Sequence, residues 1–159
     1  MLGDYIPIVR AIHATLATLV FGLSVIYPLG LVMFSNSISL PGTLRFLRKL
    51  SLLSFFMELV TVLFGVLLIL GLEGVGYYLS LLLFQAKLVS IVVGFTVGLI
   101  LTLRLQKVGS IIDPTLPLRS QFTAVVGRQK ILLVLSLIHL LAWNLVVSFA
   151  GLIFLGVHF

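Results

Sequence analysis

The sequence predicts an all-α integral membrane protein: a four-transmembrane-helix bundle, up-down-up-down, with both chain ends outside (N-out/C-out). Three observations carry this expectation. Of the 159 residues, 61% are hydrophobic and only 9% charged, whereas a soluble domain is about half apolar and about a quarter charged. Apolar runs recur that reach the roughly 20 residues needed to cross about 30 Å of hydrocarbon. The basic residues gather in the connections between those runs rather than within them.

The spans are expected at 6–34, 50–72, 77–103 and 131–155, all within a single transmembrane domain, 1–159. No polar stretch is long enough to enclose a core of its own. The first connection carries Asn36, Pro41 and Gly42 as breakers and then the basic segment RFLRK. The second, 73–76, is so short that the spans it joins must be antiparallel neighbours. The third contains Pro114 and Pro117 and can start the last span early, as an interfacial helix. Asp4 and Tyr5 stand where a cleavable signal would be basic, and the run beyond them exceeds an h-region, so the first span is expected to be retained.

Charge orients the bundle. The first and third connections hold Arg45, Arg48, Lys49, Arg104, Lys107, Arg119, Arg128 and Lys130, while the other side has Arg10 against Asp4 and Glu73. The positive-inside rule then places the basic connections in the cytoplasm, with a prokaryotic cell membrane as the expected location. In this setting a net charge of +6 sets orientation; no nucleic-acid partner is expected. The expected partners are the lipid bilayer and either other membrane subunits or further copies of the chain. Cysteine is absent, which excludes disulfides, zinc–thiolate sites and iron–sulfur clusters built from this chain alone.

Polar residues inside the apolar runs are the candidate functional groups, since a charge at bilayer depth is costly and usually faces a bundle interior. Span two carries Ser51, Ser54, Glu58, Thr61 and Gly65 at helical spacing; span three carries Gln85, Lys87, Ser90, Gly94 and Gly98. Counting the helical rise puts Glu58 about 10 Å and Lys87 about 15 Å above the basic boundary, close enough for an ion pair. Such a pair could do chemistry or simply fix the register of the bundle.

His13 shares a face with Arg10 in span one, and His139 is followed one turn later by Trp143 and Asn144 in span four. The same count places them about 20 Å and about 14 Å above the basic boundary. Two imidazoles at comparable depth could be metal ligands to the iron of a b-type haem, with small residues at Ala11, Ala14, Ala17 and Gly22 leaving room for the macrocycle. The alternative is that each histidine hydrogen-bonds a backbone carbonyl or Asn144. Pro28 is expected to kink span one, Tyr27 suits either an interface or the interior, and Tyr5, Tyr77 and Tyr78 suit an interfacial belt. No glycine-rich phosphate loop, H-E-x-x-H or serine triad is present.

The segments Arg10-Ala11-Ile12-His13, Gly22-Leu23 and Tyr27-Pro28 resemble the first helix of the HemJ family of membrane protoporphyrinogen oxidases. Gln85-Ala86-Lys87-Leu88 resembles that family's His-Ala-Lys-Leu segment, and the basic start of span two and the Thr61…Gly65 spacing are also similar. The copper-resistance protein D group shares the four-helix pattern and an early histidine more loosely. The resemblance covers about the first two-thirds of the chain. It implies a four-helix membrane fold, a haem-associated His13 and a functional Lys87. Gln85 replaces the family's histidine, the basic residue expected soon after Pro28 is missing, and the polar C-terminal motif has no counterpart. The fold and haem binding therefore carry over, and the reaction does not.

Three functions follow as expectations: a small haem-binding or redox-associated protein, which could serve electron transfer beside a respiratory or oxidase complex; a non-catalytic accessory subunit; or a proton or metal-ion permeation protein using Arg10, His13, Asn144, Lys87 and Glu58.

Overall fold

A computed structural model describes residues 5–35, 37, 39–71, 81–112 and 115–154. The chain forms α1 (Ile6–Met33), α2 (Leu40–Gly71), α3 (Leu82–Gly109), a short α4 (Leu118–Val125) and α5 (Gln129–Phe154). Helices α1, α2, α3 and α5 are each long and apolar enough to cross a membrane. The expected turn at 73–76, with Tyr77, Tyr78, Asp4, Glu73, Asp113 and His158, lies outside the described residues.

Helix α2 starts well before the expected boundary at 50, so the RFLRK segment is helical rather than part of a loop. Pro41 does not break it because it stands in the first turn, where its missing N–H would have had no intrahelical acceptor. At 32 residues, α2 is about 48 Å long and projects beyond the hydrocarbon at the basic end. Helix α3 likewise continues past 103 through Arg104 and Lys107 to Gly109. The segment before span four is a separate amphipathic helix, α4, with Gln121 and Val125 buried and a turn at 126–128 before α5. Helix α1 continues through Pro28, which is buried.

Helix α1 packs beside α2 and α5, and α3 packs beside the same two. The four long helices therefore stand at the corners of a square, with α1 facing α3 and α2 facing α5 across the diagonals. The largest apolar cluster fills the basic end, where Leu31, Leu44, Leu47, Leu101, Leu105 and Leu132 meet. Outward-facing Leu52, Phe56, Val92, Leu103 and Leu141 are exposed, as suits a surface solvated by acyl chains. Ser90, Gly94 and Gly98 form a buried stripe on α3 that lets its backbone approach its neighbours closely.

Candidate functional site in the bundle core

Much of the polar stripe on α1, α2 and α3 is satisfied locally. Thr15, Thr18, Thr61 and Ser90 donate to carbonyls one turn back, the shortest being Thr61 Oγ1 to Met57 O at 2.7 Å. Such hydroxyls need no tertiary partner in an apolar medium. What remains is a cluster around Glu58.

Glu58 and His139 meet on the diagonal. Glu58 Oε1 lies 3.0 Å from His139 Nε2, and both side chains are 1% exposed. Ser54, one turn earlier on α2, donates its hydroxyl to the same Oε1 at 3.1 Å. Trp143, one turn after His139 on α5, donates its indole N–H to Nε2 at 3.1 Å. Tyr27 from α1 packs edge-on against the imidazole, with ring centroids 6.2 Å apart. It is an interior residue, 1% exposed.

Gly98 on α3 makes the approach across the diagonal possible. A Cβ there would stand 2.8 Å from Glu58 Oε2 and 2.9 Å from His139 Nε2, closer than real Cβ contacts come. At Gly94, one turn earlier on α3, a Cβ would meet Trp143 Nε1 at 3.3 Å. The Gly94-x-x-x-Gly98 spacing thus leaves bare backbone against which the imidazole, carboxyl and indole pack.

The hydrogens cannot satisfy every group at once. An indole N–H only donates, so it needs a lone pair on Nε2; a hydrogen on Nε2 serves Glu58 instead and leaves Trp143 without an acceptor. Among the described residues, Glu58 Oε2, His139 Nδ1 and Tyr27 Oη are buried without hydrogen-bond partners. Unsatisfied atoms concentrated at one point of a membrane core mark a place where protons or small polar molecules can be accommodated.

His13 lies elsewhere. Its Nδ1 is 2.9 Å from the carbonyl of Thr61, about one turn beyond Glu58 along α2. A carbonyl only accepts, so Nδ1 carries the hydrogen and Nε2 keeps its lone pair. A Cβ on Gly65 would stand 3.1 Å from the ring's Cε1. Lys87, from α3, is within electrostatic range of the imidazole.

No protein-family model, curated protein or solved structure matches the chain.

Several expectations are corrected. Glu58 pairs with His139, not Lys87. Lys87 stands three turns before Gly98, which touches Glu58, and is therefore about 16 Å away along α3. Arg10, Gln85 and Asn144 are exposed rather than members of a buried network. Asn144 Oδ1 accepts from Ser148 on the outer face of α5. The two imidazoles have different neighbours: His13 meets the Thr61 carbonyl and Gly65, and His139 meets Glu58, Trp143 and Gly98. Nε2 of His139 is engaged by Glu58 and Trp143, with Gly98 packed beside it, so this residue does not fit as an Nε2 axial ligand. His13, with its hydrogen fixed on Nδ1, has the tautomer that an iron ligand needs. The expected alternative of a backbone-carbonyl partner holds for His13, which bonds the Thr61 carbonyl. The edge-on contact of Tyr27 with His139 was not foreseen; the His139/Trp143 and Ser54/Glu58 one-turn spacings were the available signal.

Proposed function

We propose that this small polytopic membrane protein handles protons within the bilayer at the Glu58–His139 pair. The observation that carries the reading is the 3.0 Å contact between two titratable groups, each 1% exposed, on opposite helices of a membrane bundle. From an imidazolium, whose Nδ1 keeps its own hydrogen, the proton on Nε2 passes to Oε1 of the Glu58 carboxylate, giving a neutral imidazole and a neutral carboxyl. Once the carboxyl hydrogen turns away, the lone pair on Nε2 accepts the Trp143 N–H. The reverse transfer restores the first arrangement. The indole thus offers Nε2 a partner once its hydrogen has left, which keeps the two arrangements closer in energy than an isolated buried pair would allow.

Proton flux into dye-loaded vesicles containing the purified chain tests the proposal. Glu58→Gln is expected to slow flux at least tenfold, while Asn144→Leu, on the outer face, leaves it unchanged. Flux no faster than in protein-free vesicles, or indifferent to Glu58→Gln, overturns the reading.

A second reading rests on His13. With its Nδ1 hydrogen given to the Thr61 carbonyl, Nε2 could serve as one axial ligand to haem b, in keeping with the resemblance of the Arg10–His13 and Tyr27–Pro28 segments to HemJ proteins. A bound haem would supply one-electron redox chemistry. This reading expects a Soret band in protein from haem-replete cells, lost in His13→Ala and retained in His139→Phe. A colourless preparation removes it. The basic connections support a cytoplasmic placement of that end in a prokaryotic cell membrane.

An accessory role draws on Asn144, whose amide faces outward from a span with Ser148 as its partner among the described residues. A neighbouring subunit's helix, or a second copy, would supply the remaining hydrogen bonds.

A further inference from the structure

A separate recess opens at the basic end of α2, remote from the Glu58 cluster and independent of the proton reading. Arg45, Arg48, Lys49 and Leu52 share one face of the helix at i, i+3, i+4 and i+7 spacing. With Phe46 and with Gln106 of α3 they line an open recess of about 610 Å³ whose wall is almost wholly apolar, so that the stems of the basic residues rather than their charged ends form it.

Among the described residues, the groups that hold these cations do not neutralise them. Arg48 donates from Nε to Gln106 Oε1 at 2.7 Å, and Gln106 returns a bond to the Arg48 carbonyl at 3.1 Å. The stem of Arg48 lies against the bare Cα of Gly109, where a Cβ would overlap Cδ. Arg45 donates from Nη2 to Gln121 Oε1 at 3.0 Å, and Gln121 donates to the carbonyl of Leu116 at 2.6 Å. Both guanidinium partners are neutral amides, which orient a charge but do not cancel it. Arg45 Nε is buried with no partner. Among the described residues, no carboxylate pairs with Arg45, Arg48 or Lys49.

The placement suggests the ligand. The apolar run of α2 begins at Leu50, directly after Lys49, so the recess straddles the edge of the hydrocarbon. Its cations lie on the aqueous side, Leu52 lies just inside the apolar run, and its two large apolar side chains, Phe46 and Leu52, are more than half exposed. A soluble anion would use only the charged half. A molecule with a phosphate joined to acyl chains would use both, and basic pockets between transmembrane helices on this side suit such headgroups.

We infer that this recess binds the phosphate group of an anionic phospholipid in the leaflet at the basic end, with the first part of an acyl chain against Phe46 and Leu52. Arginine forks match phosphate oxygens in geometry as well as charge, and Lys49 adds a mobile donor at the rim.

Native mass spectrometry of the detergent-purified full chain, titrated with short-chain phosphatidylglycerol and phosphatidylcholine, tests the inference. Phosphatidylglycerol is expected to bind at least tenfold more tightly than phosphatidylcholine. Lys49→Gln, at an exposed position, and Arg45→Gln should each weaken phosphatidylglycerol about fivefold, the effect of one interfacial cation. Arg128→Gln, an exposed cation at the same end but outside the recess, should change it less than twofold. Equal losses in all three variants would show diffuse attraction and overturn the site. Equal affinity for the two lipids, or displacement by millimolar inorganic phosphate as effective as by phosphatidylglycerol, would also overturn it. Retained far-ultraviolet circular dichroism identifies any variant whose loss reflects unfolding, and Lys49→Gln, free of internal bonds, carries the decision in that case.

Discussion

Glu58 and His139 join at 3.0 Å across the diagonal of the bundle, on helices that face one another rather than pack side by side. A contact of this kind reports on all four helices. Ser54 precedes the carboxyl on α2, Trp143 follows the imidazole on α5, Tyr27 reaches in from α1, and α3 contributes the bare backbone of Gly98. Rotating α2 or α5 by half a turn would separate Glu58 from His139 and leave each without its partner in the bundle core.

The pair should therefore show measurable coupling. In a double-mutant cycle with Glu58→Leu and His139→Leu, an interaction energy of about 0.6 kcal/mol, and no more than about 1.7, is expected if the pair behaves as a neutral interhelical hydrogen bond. Glu58→Gln keeps an acceptor for Ser54 and should cost less than Glu58→Leu. Reversible unfolding in mixed micelles measures both, and additive single substitutions would show that the contact does not hold the helices together.

Gly98 should be the most sensitive glycine. A methyl there would sit 2.8 Å from Glu58 Oε2 and 2.9 Å from His139 Nε2, both held in a packed core. Gly98→Ala is expected to destabilise by about 1–3 kcal/mol, the usual cost of overpacking. Gly22→Ala is the contrast, since no atom lies within 4 Å of its Cβ position; removing backbone freedom there should be neutral or stabilising by up to about 1 kcal/mol. Thermal unfolding of the two variants in one detergent compares them directly.

Trp143 is the chain's single tryptophan and donates to His139, so it is a built-in reporter of the site. Its emission should shift in His139→Ala and in Glu58→Gln, and stay unchanged in His13→Ala. A spectrum altered equally by His13→Ala would contradict the separation of the two imidazoles.

At the basic end, Gln106→Ala removes the partner of Arg48 Nε and the bond back to the Arg48 carbonyl. Because Arg48 is only partly buried, a loss of about 1 kcal/mol is expected, below the roughly 1.5–3 kcal/mol usual for hydrogen bonds to charged groups. Equilibrium unfolding checks it, and a value near zero would mean that solvent replaces the amide without penalty.

The sequence by itself determined the class of the protein, the number of spans, the charge asymmetry between the two ends and the residue types that need partners inside the bilayer. These are properties of composition over windows of about 20 residues, and an error of a few residues in a helix end does not disturb them. Pairing is less forgiving, because each residue of register moves a side chain 1.5 Å along the axis and about 100° around it. The contact of Gly98 with Glu58 fixes the register of α3 against α2, so Lys87 lies about 16 Å further along α3 and His139 takes the place opposite Glu58. Only the tertiary structure decided that Arg10, Gln85 and Asn144 point outward, that His13 bonds the Thr61 carbonyl, and that Gly98 leaves room for an acid and an imidazole to meet on the central axis. Which face of a helix turns inward depends on what its neighbours can accommodate, and one helix's sequence does not contain its neighbours.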